Sequence, residues 1–398
     1  MKRTFIVNAK RTAIGKLAGK LSPVRVDDLM ASVLKDIKDS LTFDPSLIDD
    51  VIIGCANQAG EDNRNLARMA VILSGLPLQV PGTTMNRLCG SSLDSLLDGF
   101  GRIQSGLADC LIVGGAESMS RGPFVISKAQ SAYDRDQKMY DTTFGWRFTN
   151  PKMEKMFPLL GMGETAEEVA ALYKITREEQ DQFAYHSHMK AVAAWNRGDF
   201  NDEVVPYNVE LKKEAYLFSK DECPRADTTI DALAKLKAVF RKDGTVTAGN
   251  SSPMNDGAAA LLIVSEEFLK THNLTPMIEV TGGAVRGLHP NVMGLGPVEA
   301  VKVLLKRYNK KLSDFDAIEL NEAFAAQALG CIKGLELDPS KINLNGGAIA
   351  IGHPLGGSGA RLVTTLAHQM KKNKAIKESI ATMCIGVGQG IAVSFRNC

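Results

Sequence analysis

Asn86-Arg87-Leu88-Cys89-Gly90-Ser91-Ser92 is the stretch on which the reading of the fold turns. Behind it Leu93, Leu96, Leu97 and Phe100 recur at i, i+3, i+4 and i+7, the spacing of one apolar helix face, and Gly106 makes a good helix stop. Residues 110–114 then read as a strand. A matching unit lies near the other end. There His353-Pro354-Leu355-Gly356-Gly357-Ser358-Gly359 opens a helix leading to a strand that ends Cys384-Ile385-Gly386. Each turn carries a reactive residue beside glycine, so two like halves packed together would bring both turns to one shared site.

Outward from these units, short apolar strands alternate with amphipathic helices and glycine-rich turns, which argues for an α/β fold. The other candidate strands are residues 4–9, 50–56, 258–264, 277–281, 315–320 and 379–385. A helix starts at Pro297, a residue suited to the first helical turn, and turns Val301, Leu304 and Leu305 inward. From about Arg121 to about Ser251 the alternation lapses into loops, aromatics and charged helices. Within that stretch Thr176-Arg177-Glu178-Glu179 is a capping box opening a long helix towards Trp195. Compact domains seldom carry so long a structureless loop, so the segment reads as an insertion crossing over the core.

Composition narrows the function. The chain has 398 residues, 44% hydrophobic and 23% charged, which fits a folded protein of two or three domains and excludes a disordered tail. Lys+Arg (47) nearly balances Asp+Glu (45), so the net charge of +2 leaves no global footprint for nucleic acid or an anionic membrane. No apolar run is long enough to cross a bilayer, and the first eight residues are too short an apolar stretch for a signal peptide. A cytoplasmic protein is expected. The seven cysteines include no Cys-x-x-Cys pair, so neither a disulfide framework nor a zinc site is suggested, and each is by default a small core residue.

Four positions could carry chemistry. Cys89 stands at a helix start, where backbone N–H groups and the helix dipole favour a thiolate; the alternative is a buried cysteine at a strand–helix junction. Of six histidines only His353 is set among glycines ahead of a helix, where an imidazole can take a thiol proton or donate to a carbonyl oxygen. Its bland reading is a turn histidine with a satisfied hydrogen bond. Cys384 ends a strand before Gly386, Gly388 and Gly390, and a thiol needs only a modest shift to act as acid or base near neutrality; a strand-end core residue is the alternative. Asn321 opens Asn321-Glu322-Ala323-Phe324 and reads either as a helix N-cap or as an amide that holds a water or ligand oxygen.

At these four motifs the sequence resembles the thiolase family over essentially the whole chain. The cysteine loop, Asn-Glu-Ala-Phe, Gly-His-Pro and Cys-Ile-Gly-x-Gly-Gln-Gly occur in that family's order. The resemblance implies a five-layered αβαβα fold from two βαβαβαββ halves: residues 1–121 with 252–277, and residues 278–398, with 122–251 as an inserted loop domain. It implies cleavage of a 3-oxoacyl-CoA by coenzyme A, which is a substrate, with no separate cofactor or metal and at least a homodimer, as a dimer or tetramer. Cys89 resembles the nucleophile, His353 its base and an oxyanion donor, and Cys384 the proton donor to the departing enolate. Asn321 would hold a water of the first oxyanion hole, and the N–H groups of Cys89 and Gly386 match the second. Arg225 and Ser252 fall on coenzyme A contact positions, with Met162 and Met293 near the pantetheine and acyl pocket. Val387 replaces a common glycine, Gly161 a pocket histidine and Pro253 a glycine, which sets the chain apart from the acetoacetyl-specific subgroup.

Three segments, residues 55–65, 141–148 and 224–229, look like those of 3-oxoadipyl-CoA thiolases. A chain ending in a carboxylate needs a cation if that charge is buried, and Arg147 and Arg64 lie in these segments, Arg147 being the first choice. Subunit bridging, or a pair with Glu61 or Asp62, is the alternative for either arginine. Competing classes make distinct predictions. A decarboxylating ketosynthase generally has histidine at the position of Cys384, and a cysteine hydrolase would release free acid. A dinucleotide-binding oxidoreductase would need Gly-x-Gly-x-x-Gly after the first strand, which is missing.

Overall fold

β1 (Thr4–Thr12), α1 (Val26–Asp39), β2 (Asp50–Gly54), α2 (Leu66–Leu73), β3 (Thr83–Met85), α3 (Ser91–Ser105) and β4 (Cys110–Ser118) follow one another in the computed structural model, which describes residues 2–398. An excursion carrying α4 (Met162–Tyr173) and α5 (Arg177–Arg197) precedes β5 (Asn255–Ser265). The order then repeats as β6 (Ile278–Gly287), α6 (Gly296–Tyr308), β7 (Ala317–Leu320), α7 (Ala325–Leu335), α8 (Ser358–Lys372), β8 (Glu378–Ile385) and β9 (Gln389–Asn397).

The strands lie in the order β1-β5-β4-β2-β3 in the first half and β6-β9-β8-β7 in the second. The strand that would complete the second half shrinks to one parallel bridge between Ile318 and Ile342. Both halves thus follow a single connection pattern, and the duplication visible at the two turns extends to the whole topology. The half-sheets are joined where β1 pairs antiparallel with β6, Thr4 opposite Val280 and Ile6 opposite Ile278.

Between them lie α3 and α8. Leu93, Leu96 and Phe100 of α3 share one core with Leu362, Leu366 and Met370 of α8, with Leu111 and Val113 of β4 and with Ile391 and Val393 of β9. Leu93, Leu96 and Leu366 are fully buried, so each contributes about 1.5–3 kcal/mol of transfer free energy. On the outer faces, α1 and α2 pack Leu29, Val33, Ala67 and Val71 on Val51 and Ile112, while α6 and α7 pack Leu304, Ala328 and Cys331 on Ile380 and Ala392. The layers therefore run αβαβα, as the resemblance implied.

The candidate strands all occur, most of them longer than read, although the one at 315–320 begins only at Ala317. Of the strands that build the two half-sheets, two escaped the sequence reading. β3 has only three residues, and β9 opens on Gln389-Gly390, which reads as turn. The capping box is present: Glu179 N–H donates to Thr176 Oγ1 at 3.2 Å, and Thr176 N–H donates to Glu179 Oε2 at 2.7 Å. Asn321 caps no helix, since α7 begins at Ala325 after Phe324. Among the described residues no helix is long and apolar enough to cross a membrane.

Candidate active site

The strand–turn–helix geometry before α3 turns Cys89 out of the core. Leu88 adopts φ +48°, a left-handed conformation that costs an L-residue about 1–2 kcal/mol. Its N–H donates to Asn86 Oδ1 at 2.8 Å, and Ser91 Oγ donates to its carbonyl at 2.6 Å. Gly90 packs closely here: a Cβ would lie 2.5 Å from Ile385 Cδ1, so that side chain would have to move. That close approach brings the start of α3 against the end of β8, and with it Cys89 towards Cys384.

A cavity of about 490 Å³ collects residues from both halves and the insertion: Cys89, His353, Cys384, Gly386, Arg225, Ser252, Met162 and Met293 all line it. Its wall is otherwise largely apolar, with Phe144, Val239, Phe240 and Phe324. Burial pushes the Cys89 thiol up to about 11, while the N–H groups of Gly386 and of Cys89 itself act in the opposite direction. The Cys89 and Gly386 backbones thus stand together in the cavity wall beside the sulfur, where N–H groups could serve an oxyanion on a bound acyl group. The reading that the helix start favours a thiolate is corrected to this extent: burial outweighs the N–H groups, so the thiol rests protonated and would need a base. Cys384 is buried, and burial, then the neighbouring Cys89, hold its thiol well above the usual range. The modest shift read from the sequence is likewise corrected.

His353 is the candidate for that base, since it lines the same cavity. Its own N–H donates to Asn255 Oδ1 at 2.8 Å, tying the loop to β5. Ser358 Oγ donates to the Pro354 carbonyl at 2.8 Å and lies 2.6 Å from His353 Nδ1. With its single proton so used, Ser358 accepts from Nδ1–H, which leaves the lone pair on Nε2. Burial, then the charge of Arg361, lowers the imidazole to about 3, so it is neutral and can accept a proton. Asn321 Nδ2 lies 3.4 Å from Nε2, and Asn321 Oδ1 is buried with no partner among the described residues. Asn321 thus adjoins His353 although it does not line the cavity itself.

Several supporting residues gave no signal in the sequence. Glu117, buried near the end of β4, accepts N–H groups from Gly356 at 2.8 Å, Ala56 at 2.9 Å and Asn57 at 3.1 Å, clamping the histidine turn to the first half. Burial raises its carboxyl to about 7. His188, held near 4 by burial and then by Arg225, accepts the Arg225 N–H at 3.2 Å. Ser358 and Asn255 also belong here. Ser358 stands inside the histidine turn but shows nothing there of its role, and the others lie outside any motif because each acts on a residue distant in sequence.

Arg64 and Arg147 are the exceptions among the expected residues. Arg147 donates to the Thr142 carbonyl at 3.2 Å, and Arg64 is exposed in a turn whose N–H is taken by Asp62 Oδ2 at 3.0 Å. Neither lines the cavity of its own chain. Glu61, suggested as a partner for either, is instead paired with Arg121, Arg121 Nε lying 2.6 Å from Glu61 Oε2. Among the residues around the cavity the cationic ones are Lys16 and Arg225.

Comparison with known proteins agrees with this geometry. The family model for the thiolase N-terminal domain matches residues 4–267 and that for the thiolase C-terminal domain residues 274–397. A beta-ketoadipyl-CoA thiolase of Pseudomonas aeruginosa is 50% identical over 398 residues, covering 99% of both chains. The 3-oxoadipyl-CoA/3-oxo-5,6-dehydrosuberyl-CoA thiolase of Escherichia coli is 51% identical over 397 residues, again covering 99% of each. Human mitochondrial 3-ketoacyl-CoA thiolase in complex with CoA is 40% identical and superposes with a TM-score of 0.92, covering 100% of this chain and 98% of that one. With both family models matched across nearly its full length, the chain belongs to the thiolase family.

Proposed function

We propose that the protein cleaves 3-oxoadipyl-CoA with coenzyme A, giving succinyl-CoA and acetyl-CoA. The observation that carries thiolysis is the single cavity in which a thiol with two N–H donors, a neutral imidazole and a second thiol meet. Identity of about half to relatives named for 3-oxoadipyl-CoA supports the choice of acyl group.

The chemistry divides into two transfers. His353 Nε2 takes the Cys89 proton as the sulfur attacks the 3-oxo carbon, whose oxyanion the N–H groups of Cys89 and Gly386 receive; the resulting imidazolium, with the water held by Asn321, can donate to the thioester oxygen on which the enolate charge develops. The bond between C2 and C3 breaks, and its electron pair becomes the enolate of acetyl-CoA. Cys384 protonates that enolate at C2, leaving a Cys89 thioester and a Cys384 thiolate. Coenzyme A then gives its thiol proton to the Cys384 thiolate and attacks the thioester, whose oxygen again becomes an oxyanion held by the N–H groups of Cys89 and Gly386. Collapse expels the Cys89 thiolate, which recovers its proton from the imidazolium.

Arg225 and Ser252 are read as coenzyme A contacts, and Met162 and Met293 as the wall beside the pantetheine and acyl groups. On this reading the division into residues 1–121 with 252–277, 122–251 and 278–398 is functional. The first half supplies the nucleophile, the second the base and acid, and the insertion Arg225 and Met162. The enzyme works as a cytoplasmic homodimer or homotetramer with coenzyme A as substrate. A panel of 3-oxoadipyl-, acetoacetyl- and longer 3-oxoacyl-CoA substrates tests the proposal. It expects the highest kcat/KM for 3-oxoadipyl-CoA with release of acetyl-CoA. A preference for neutral chains would return the enzyme to the general 3-ketoacyl-CoA class, and free acid in place of a new acyl-CoA would make it a hydrolase.

A further inference from the structure

The turn between β8 and β9 runs through Gly386-Val387-Gly388, and its second residue is out of place. Val387 takes φ +63° and Gly388 φ +81°. Glycine enters that left-handed region freely, whereas a β-branched side chain there crowds the neighbouring carbonyl. The turn is pinned on both sides. Leu288 N–H donates to the Gly388 carbonyl at 2.8 Å, and a Cβ on Gly388 would lie 2.3 Å from the Leu288 oxygen. At the other end, Gly386 stands with Cys89 in the wall of the catalytic cavity. A glycine at 387 would serve this backbone better, so what the valine brings to the turn is its side chain.

That side chain lines a small chamber of about 10 Å³ with Trp146, Phe157, Leu160, Met162 and Asn291. Met162 also lines the catalytic cavity, and its sulfur sits 3.5 Å from where a Cβ on Gly386 would be. One methionine therefore stands between the reacting centre and the chamber. The chamber has room for about one water-sized probe and none for a methylene chain. Methionine alone would be a soft barrier, since its thioether swings between rotamers. Val387 behind it is stiff at χ1 and fixed in a pinned turn.

We infer that Val387 is the stop that sets the longest acyl chain the enzyme accepts: Met162 yields only as far as Val387 allows, and the chamber behind stays closed. This rests on reading the cavity as a 3-oxoacyl-CoA site. It identifies a specificity-determining residue on the oxyanion turn itself, two residues beyond the sheet partner of Gln389. The chamber is uncharged, so what it would admit on opening is a neutral chain, since a carboxylate would be left without a counter-charge.

The test compares wild type with Val387→Gly and Val387→Ala on acetoacetyl-, 3-oxooctanoyl- and 3-oxodecanoyl-CoA, with 3-oxoadipyl-CoA as the reference. The ratio of kcat/KM for 3-oxodecanoyl-CoA to that for acetoacetyl-CoA should rise in the order wild type, Ala, Gly, by about tenfold or more in the last, the discrimination one methylene commonly brings. Thermal melting of Val387→Gly should not fall, because left-handed strain is removed. Unchanged ratios in both folded variants would overturn the inference. If the wild type turns over every 3-oxoacyl-CoA except 3-oxoadipyl-CoA, the substrate proposal fails while the ratio still decides the role of Val387.

Discussion

Ser358 fixes which nitrogen of His353 can act as a base. Its hydroxyl gives its proton to the Pro354 carbonyl and receives one from Nδ1, 2.6 Å away, so the lone pair stands on Nε2. Both residues are buried, and no solvent competes for either bond. Ser358→Ala should leave the fold intact and lower kcat/KM by about 10- to 100-fold, the value of a hydrogen bond to a group that becomes charged, ~1.5–3 kcal/mol. Steady-state kinetics alongside a melting curve checks this. Full activity in the variant would show that the tautomer is set elsewhere.

Cys384 is assigned to proton transfer rather than to acyl transfer. Cys384→Ala should cost thiolysis about 10²- to 10⁴-fold while Cys89 still accepts an acyl group. Hydrogen–deuterium exchange at the methyl of acetyl-CoA, followed by mass spectrometry, should slow with it. Wild-type exchange in the variant would remove Cys384 from the mechanism.

The raised pKa of Cys89 has a direct readout. A thiol pushed up to about 11 should be alkylated by iodoacetamide at a rate that keeps climbing between pH 7 and pH 9. A plateau reached below pH 7 would mean a resting thiolate, and the helix start would then outweigh burial after all.

Glu117 links pH to stability. Its folded carboxyl lies near 7, above the ordinary value of 4.5, so the native state holds the proton more tightly than the unfolded chain. Stability should therefore fall as pH rises from about 4.5 through 7. In Glu117→Gln that contribution is absent. The variant should melt lower overall, since one amide N–H would face a backbone donor, but the advantage of the wild type should shrink as pH rises. Parallel curves for the two proteins across this window would contradict the assignment.

Much of this architecture is legible in the sequence because local pattern and packing agree. The apolar stripe of Leu93, Leu96 and Phe100 is the face that meets α8, and Gly106 ends the helix in a left-handed cap as read. The glycines that mark Cys89 and His353 as unusual are those that let two turns approach. What stayed hidden depends on contacts far apart in the chain. Glu117 meets Gly356, and Asn255 meets His353, through folding alone. The same limit explains the arginines: residue type and neighbourhood drew attention to Arg147 and Arg64, but only the course of the loops places them outside the cavity of their own chain. Arg147→Ala and Arg64→Ala should accordingly change kcat/KM for 3-oxoadipyl-CoA and acetoacetyl-CoA alike.

The central claim is a covalent acyl group on Cys89 drawn from 3-oxoadipyl-CoA. Incubation of the wild type with that substrate in the absence of free coenzyme A, followed by acid quench, digestion and mass spectrometry, examines it in one step. A succinyl group should be found on the peptide containing Cys89, with acetyl-CoA released in equal amount, and Cys89→Ala should give neither. Succinylation of any other cysteine, or acetyl-CoA release from Cys89→Ala, would contradict the account.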